Sequence, residues 1–207
     1  MTKNQGVVRA RAGLGVHDVV RAAFVVLDGQ GIAKLSTRAI ATELDVSMNT
    51  VMWHIGTKGR LLELMADAIV GEAEADQLHG DWRRRAAQLL GRLRQAMLRH
   101  RDGAVVVAGT FPALPATLAF GDRLVAVLRS GGVAAKPAAW TAWSLFYFTL
   151  GLVQEEQRAP DALPSGLPDV VTEKDFPNLH AVLDDFLSAD YEARFRFGIG
   201  QILASLG

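Results

Sequence analysis

The strongest constraint on the fold is a series of three closely spaced helix starts, at Ser36, Ser47 and Thr57. A serine or threonine oxygen at such a position accepts from a backbone N–H that the first helical turn leaves without a partner. Leu35 precedes Ser36 and can pack on Ile40, and Val46 precedes Ser47 and can pack on Val51, the two places of a hydrophobic staple. The spacing predicts short helices over 36–44 and 47–55, joined by a turn of about three residues, which is helix-turn-helix spacing. Asp45 occupies the turn, where glycine is the usual solution for a positive φ and aspartate tolerates it better than most residues.

Around this pair the chain reads as helical throughout. "VHDVVRAAFVVL" places apolar residues at 16, 19, 20, 23, 24 and 27, one face of a helix over 16–27, and "DGQG" should break it. "KGRLLELMADAIVGEAEA" forms a helix over 58–75 with Leu61, Leu62, Met65, Ile69 and Val70 on its apolar face. Further helices are expected at 82–100, 104–109, 113–130, 137–157 and, with a break, 176–206. The four prolines of 158–178 predict a long, mobile loop. Period-2 alternation is scarce, so the fold class is all-α: an N-terminal three-helix domain at 1–58 and a larger helical domain at 59–207, linked by the helix 58–75.

At about 100° per residue, the helix 47–55 sorts its side chains cleanly. Val51 and Ile55 coincide and should face the core. Asn49 and Trp53 lie on one flank, Thr50 and His54 on another, with Met48 and Met52 between the core side and the Asn49/Trp53 flank. A recognition helix needs one face that packs and another that reaches base edges and phosphates from the major groove. Asparagine can bond adenine or phosphate, threonine and histidine can bond phosphate, and methionine and tryptophan can touch thymine methyls. Lys58 adds charge and N–H groups where a phosphate would lie. Spacing alone also fits two packed helices that never meet DNA. Charge favours the DNA reading: residues 1–60 carry eight Lys/Arg and four acids, while the remainder carries 14 and 18.

Other function classes find little support. No cysteine is present, which removes disulfides, thiolate nucleophiles and Cys-based zinc sites and suits a reducing cytoplasm. The basic N-terminus has no apolar stretch behind it, unlike a secretory signal. The longest apolar run, 138–153, falls short of the ~20 residues that span a bilayer, so no membrane partner is expected. G-x-S-x-G, H-E-x-x-H and Walker A patterns are absent, and His17, His54, His79, His100 and His180 show no ligand spacing. His100-Arg101-Asp102 mimics a kinase tripeptide without the other kinase motifs; Asp102 is expected to cap the helix that follows. Glu155 and Glu156 are adjacent, so they diverge on a helix and cannot act as an acid/base couple. No catalytic residue, cofactor or metal is expected.

"STRAIATELDVSMNTVMWHIGTKGRLLELMADAI" resembles the DNA-binding domain of tetracycline-repressor (TetR) family regulators. "MLRHRDGAVVVAGTFP" (97–112) and "FTLGLVQEEQ" (148–157) are similar to segments of that family's C-terminal core, in the same order. The resemblance implies a cytoplasmic, all-helical homodimer that binds a palindromic double-stranded operator and releases it to a small-molecule inducer. It places Thr37, Arg38, Met48, Asn49, Thr50, Met52, Trp53, His54 and Lys58 on DNA-contact positions. Met48 and Met52 depart from the tetracycline repressor, so the operator should differ from the tet operator.

The resemblance also places Leu89, Leu93, Val107, Thr110, Phe111, Leu124, Ala139, Ala142, Trp143 and Tyr147 on ligand-binding positions. Polar drug-binding residues of the tetracycline repressor are replaced by Leu89, Val107 and Phe111, and the magnesium-holding histidine is gone. A polar chelating drug would leave groups unpaired here, at about 1–3 kcal/mol each, so the inducer should be largely apolar and bind without metal. Thr110, Tyr147 and Gln154 are candidate polar handles, with Trp140, Trp143 and Phe146 as walls or as core and dimer packing. Dimerisation is expected through 137–157 and 189–206 as a four-helix bundle. The competing reading is a helical small-molecule-binding or scaffold protein that does not bind DNA.

Overall fold

The computed structural model describes residues 13–74, 77–110, 113–162 and 166–206, with the side chains of 159–162 left aside. Every regular element among them is helical. By residue contacts they form two compact units, the first of residues up to 76 with 95–123, the second of 77–94 with 124–207.

The first unit begins with α1 (Val16–Gln30), α2 (Thr37–Glu43), α3 (Met48–Ile55) and α4 (Lys58–Gly71). The three hydroxyl caps form as the local chemistry demands. Ser36 Oγ accepts from the Ala39 N–H at 3.2 Å, Ser47 Oγ from Thr50 at 3.1 Å and Thr57 Oγ1 from Arg60 at 3.0 Å. Asp45 adopts φ 51°, supplying the left-handed turn between α2 and α3. Val19, Ala23, Leu27, Leu35, Ile40, Val51, Ile55, Leu61 and Met65 are buried, whereas of the residues that periodicity placed on the apolar faces Val20, Phe24 and Leu62 are half-buried and Val16, at the helix start, is exposed. Full burial of such side chains stabilises by about 1.5–3 kcal/mol each.

Helix α1 runs through Asp28 and Gly29 rather than breaking there. Gly31, with φ 79°, ends it, donating its N–H to the Leu27 carbonyl at 2.7 Å. Of the two glycines in "DGQG", only the second needs the positive φ. Helix α5 (Trp82–Leu98) is followed by a tight turn and α6 (Gly103–Ala108), which packs on α4. Asp102 stands at the cap position of α6 but does not cap it. Its φ is 57°, and its carboxylate accepts from the Ile32 N–H at 2.8 Å instead. Gly103 is required at this turn, since a Cβ there would lie 2.3 Å from the Met97 carbonyl oxygen. Helix α7 (Pro115–Ser130) begins in the first unit, where Asp67 of α4 accepts from both the N–H and the hydroxyl of Thr117, at 2.7 and 2.8 Å.

The second unit is built on α5, α8 (Ala135–Ala162) and α12 (Tyr191–Ala204), with short helices α9 (Leu167–Val170), α10 (Pro177–His180) and α11 (Leu183–Phe186) before the last. Leu89, Leu90, Leu93, Leu128, Leu145, Val153, Phe195, Ile199 and Leu203 form its core. Within the loop expected at 158–178, residues 158–162, 167–170 and 177–178 are helical. Helix α8 continues past Arg158 and Pro160 to Ala162, because a proline near a helix end forfeits one hydrogen bond rather than the whole turn. Helices α8 and α12 pack closely, and Gly198 faces Phe148 with no room for a side chain: a Cβ would come within 2.1 Å of the ring.

Candidate nucleic-acid interface and effector positions

All nine residues expected to meet DNA lie in the first unit, on α2, α3 and the start of α4. Helix α3 is anchored by Val51 and Ile55, which are 0% and 3% exposed. Trp53, two residues from each anchor, is 82% exposed, and Met48 and Met52 are 46% and 37% exposed. An eight-residue helix so divided turns a large apolar and aromatic face away from the core that holds it. Asn49, Arg38 and Lys58 are exposed, while Thr37, Thr50 and His54 are half-buried.

Several of these side chains are already oriented. The Thr37 hydroxyl donates to the Met52 sulfur at 3.7 Å, joining the first helix of the motif to the second. The Thr50 hydroxyl is 2.9 Å from Ser47 Oγ, so its oxygen is partly engaged in the cap. Trp53 and His54 meet edge to face, with ring centroids 4.7 Å apart. Lys58 stands at the first turn of α4, whose open N–H groups carry partial positive charge suited to a phosphate. Arg60, two residues on, is paired with Glu63 at 3.0 Å.

The ten effector positions do not fall in one unit. Leu89, Leu93, Leu124, Ala139, Ala142, Trp143 and Tyr147 belong to the second, Val107 and Thr110 to the first, and Phe111 lies outside the described residues. Leu89, Leu93, Val107 and Leu124 are buried. The Thr110 hydroxyl bonds back to the Val106 and Val107 carbonyls at 3.4 Å each. Ala142 is half-buried and Ala139 exposed. Trp143 and Tyr147, one turn apart on α8, stack at 5.2 Å and 26°, and Tyr147 is 61% exposed.

Glu155 and Glu156 diverge as adjacent helical residues must. Glu155 pairs with Arg194 of α12 at 2.9 Å. Glu156 takes a bidentate pair from Arg94, whose Nε and Nη2 lie 3.1 and 2.8 Å from its two oxygens, and Glu192 accepts from Arg94 Nη1 at 2.7 Å. Both glutamates are thereby committed to arginines. Sequence reasoning missed Arg94, yet a signal was there: it interrupts the apolar stripe of Leu90, Leu93 and Met97 on α5, and a cation in such a stripe needs anions opposite. No helix among the described residues is long and apolar enough to cross a membrane.

Residues 74–206 match the family model described as "Tetracyclin repressor-like, C-terminal domain". The chain is 32% identical over 193 residues to the tetracycline repressor protein class A from transposon 1721 of Escherichia coli, covering 92% of this chain and 89% of that protein. Among solved structures, it resembles the Streptomyces coelicolor TetR family protein ActR in complex with actinorhodin, with a TM-score of 0.82 and 27% identity over 94% of this chain and 97% of that one. It also resembles BioQ with its natural double-stranded DNA operator, with a TM-score of 0.72 and 28% identity over 94% and 98% of the two chains.

Proposed function

Because the chain belongs to the tetracycline-repressor family of transcriptional regulators, we propose that it is a cytoplasmic, non-enzymatic repressor. It binds a palindromic operator as a homodimer and leaves it when a small, largely apolar molecule binds. The observation that carries the DNA reading is the division of α3: two buried anchors, and an exposed face of Trp53, Met48, Met52 and Asn49. Lys58, Arg38 and Thr37 position the motif through phosphates, and Met48 and Met52 select base edges.

As a homodimer the protein must set two copies of α3 about 34–36 Å apart to enter successive major grooves. The inducer acts by preferring a conformation in which that spacing is lost, and the shift cannot exceed its difference in affinity for the two states. Helix α4, the linking helix of the proposed 1–58 and 59–207 domains, carries the change: Gly56 and Thr57 alone separate it from α3, and Asp67 holds Thr117. Leu89, Leu93, Val107 and Leu124 support an apolar inducer. The pairing of Glu155 and Glu156 with arginines supports binding without a metal. The stacked Trp143–Tyr147 face serves either the inducer or the dimer partner.

A gel-shift with DNA flanking the protein's own gene, at two salt concentrations, tests the reading. A shift that weakens steeply with salt is expected, since each neutralised phosphate contributes a slope of about −0.9 in log K against log salt. No shift with any such fragment would return the protein to the class of helical binding or scaffold proteins. Magnesium-dependent release by tetracycline in the same assay would overturn the apolar-inducer part alone.

A further inference from the structure

His100 sits in the turn between α5 and α6 with a side chain only 14% exposed. Its Nδ1 is 3.1 Å from Asp28 Oδ2 on α1, and its Nε2 is 2.9 Å from Glu72 Oε1, one residue past the end of α4. A neutral imidazole has one N–H donor and one lone pair, while an ionised carboxylate only accepts. A neutral ring would therefore satisfy one carboxylate and turn a lone pair toward the other. Only the doubly protonated ring donates to both. The two ring nitrogens point apart, so the carboxylates cannot converge on an ion, and no metal-holding group of His, Asp and Glu occurs among the described residues.

The surrounding groups tie the same turn down. Arg99 Nη1 reaches the other oxygen of Glu72 at 2.8 Å. The Arg101 N–H donates to Asp28 Oδ1 at 3.0 Å, and Asp102 accepts from Ile32. Phe24 of α1 lies against the imidazole, centroid to centroid 4.3 Å. Two carboxylates face the ring directly, and Arg99 is paired with one of them, Glu72.

We propose that Asp28, His100 and Glu72 form a proton-operated clamp: with its proton, His100 ties α1 of the DNA-binding bundle and the end of α4 to the 99–102 turn, and without it one arm opens and operator affinity falls. The clamp stands on geometry alone, while its effect on operator affinity rests on the DNA-binding reading above. A clamped bundle presents α3 with less ordering left to do on binding DNA. Loss of the ring proton as the pH rises is therefore what opens the clamp. Burial works to raise the Glu72 carboxyl, but hydrogen bonds and charges from His100 and Arg99 prevail and hold it below its ordinary value of 4.5.

The test uses the full-length protein at pH 6.0 and pH 8.5, wild type and His100→Gln. Nitrogen-15 spectra of the histidine ring should show both nitrogens protonated at the lower pH and one at the higher. Protection of the Arg101 and Ile32 amides, corrected for intrinsic exchange, should fall by about fivefold with rising pH in the wild type and stay level in the variant, a change in the usual range of coupling between sites. Operator affinity by fluorescence anisotropy should follow the same pattern. A ring with a single N–H at both pH values, or an unchanged pH response in His100→Gln, overturns the clamp. A clamp that responds while operator affinity does not overturns its regulatory role. Failure to bind any DNA at either pH refutes the operator reading and with it that role, while the ring and amide measurements still decide the clamp. Should His100→Gln not fold, Asp28→Asn, which removes one carboxylate arm, replaces it with the same expectations.

Discussion

Arg94 gives the sharpest test of what holds the second unit together. Its side chain is 5% exposed, its guanidinium serves both oxygens of Glu156 and one of Glu192, and it lies 5.5 Å from the centroid of the Phe195 ring. Arg94→Met keeps an unbranched stem in the site and removes the cation. Glu192 is 49% exposed and keeps Arg196 at 3.1 Å, so it loses little. Glu156 is 21% exposed and would face the emptied position with its charge. Removing one partner of a buried pair costs about 3–5 kcal/mol, and the residual hydration of Glu156 sets the expected loss near the bottom of that range, about 3 kcal/mol. Glu192→Gln should cost no more than about 1 kcal/mol, as for exposed pairs. Adding Glu156→Met to Arg94→Met should recover about half the loss, since an apolar pair of similar volume leaves no stranded charge. Urea unfolding followed by circular dichroism reads all three, at one protomer concentration because a dimer's stability depends on it. An Arg94→Met protein within about 1 kcal/mol of wild type, or no worse than Glu192→Gln, would refute the assignment of a buried electrostatic hub.

Trp53→Ala should leave thermal stability within about 0.5 kcal/mol, the usual range for an exposed site, while operator affinity by anisotropy falls more than about tenfold, as for an aromatic interface anchor; a large loss of stability would mean that Trp53 belongs to the core. Gly198→Ala should lower the melting temperature. A methyl 2.1 Å from the Phe148 ring forces displacement, at about 1–3 kcal/mol against about 1 kcal/mol gained in helix propensity, and a rise in melting temperature would show that the α8–α12 contact is looser than described.

The parts of this fold that could be read from sequence are the ones decided within a few residues. The caps at Ser36, Ser47 and Thr57 and the left-handed Asp45 follow from local donors and local sterics, and Val51 and Ile55 from helical periodicity. Where distant groups compete, local reading failed. Asp102 has the chemistry of a cap, but a backbone N–H 70 residues earlier in the chain claimed it. The run past Pro160 and the choice of Gly31 over Gly29 depend on how a helix end is accommodated, which composition does not encode. The proposed DNA-facing set could be picked out because one short helix carries most of it. The effector set came from family resemblance, since residues of four separate stretches share no local pattern. Arg94 lay between these cases: it is a charged group in apolar company, a sign that partners exist without a sign of which.

The two-residue joint between α3 and α4 has a mechanical meaning. A 14-residue helix is about 20 Å long, so tilting it by roughly 5° about one end moves the other by about 2 Å. Thr57 is pinned to Arg60 and Gly56 to Met52, at 3.0 and 2.7 Å, which leaves the joint almost no slack. On the regulatory reading proposed above, a small rotation at the far end of α4 would reach α3 as a displacement of similar size, the motif acting as the short arm of a lever whose bearing is Gly56–Thr57.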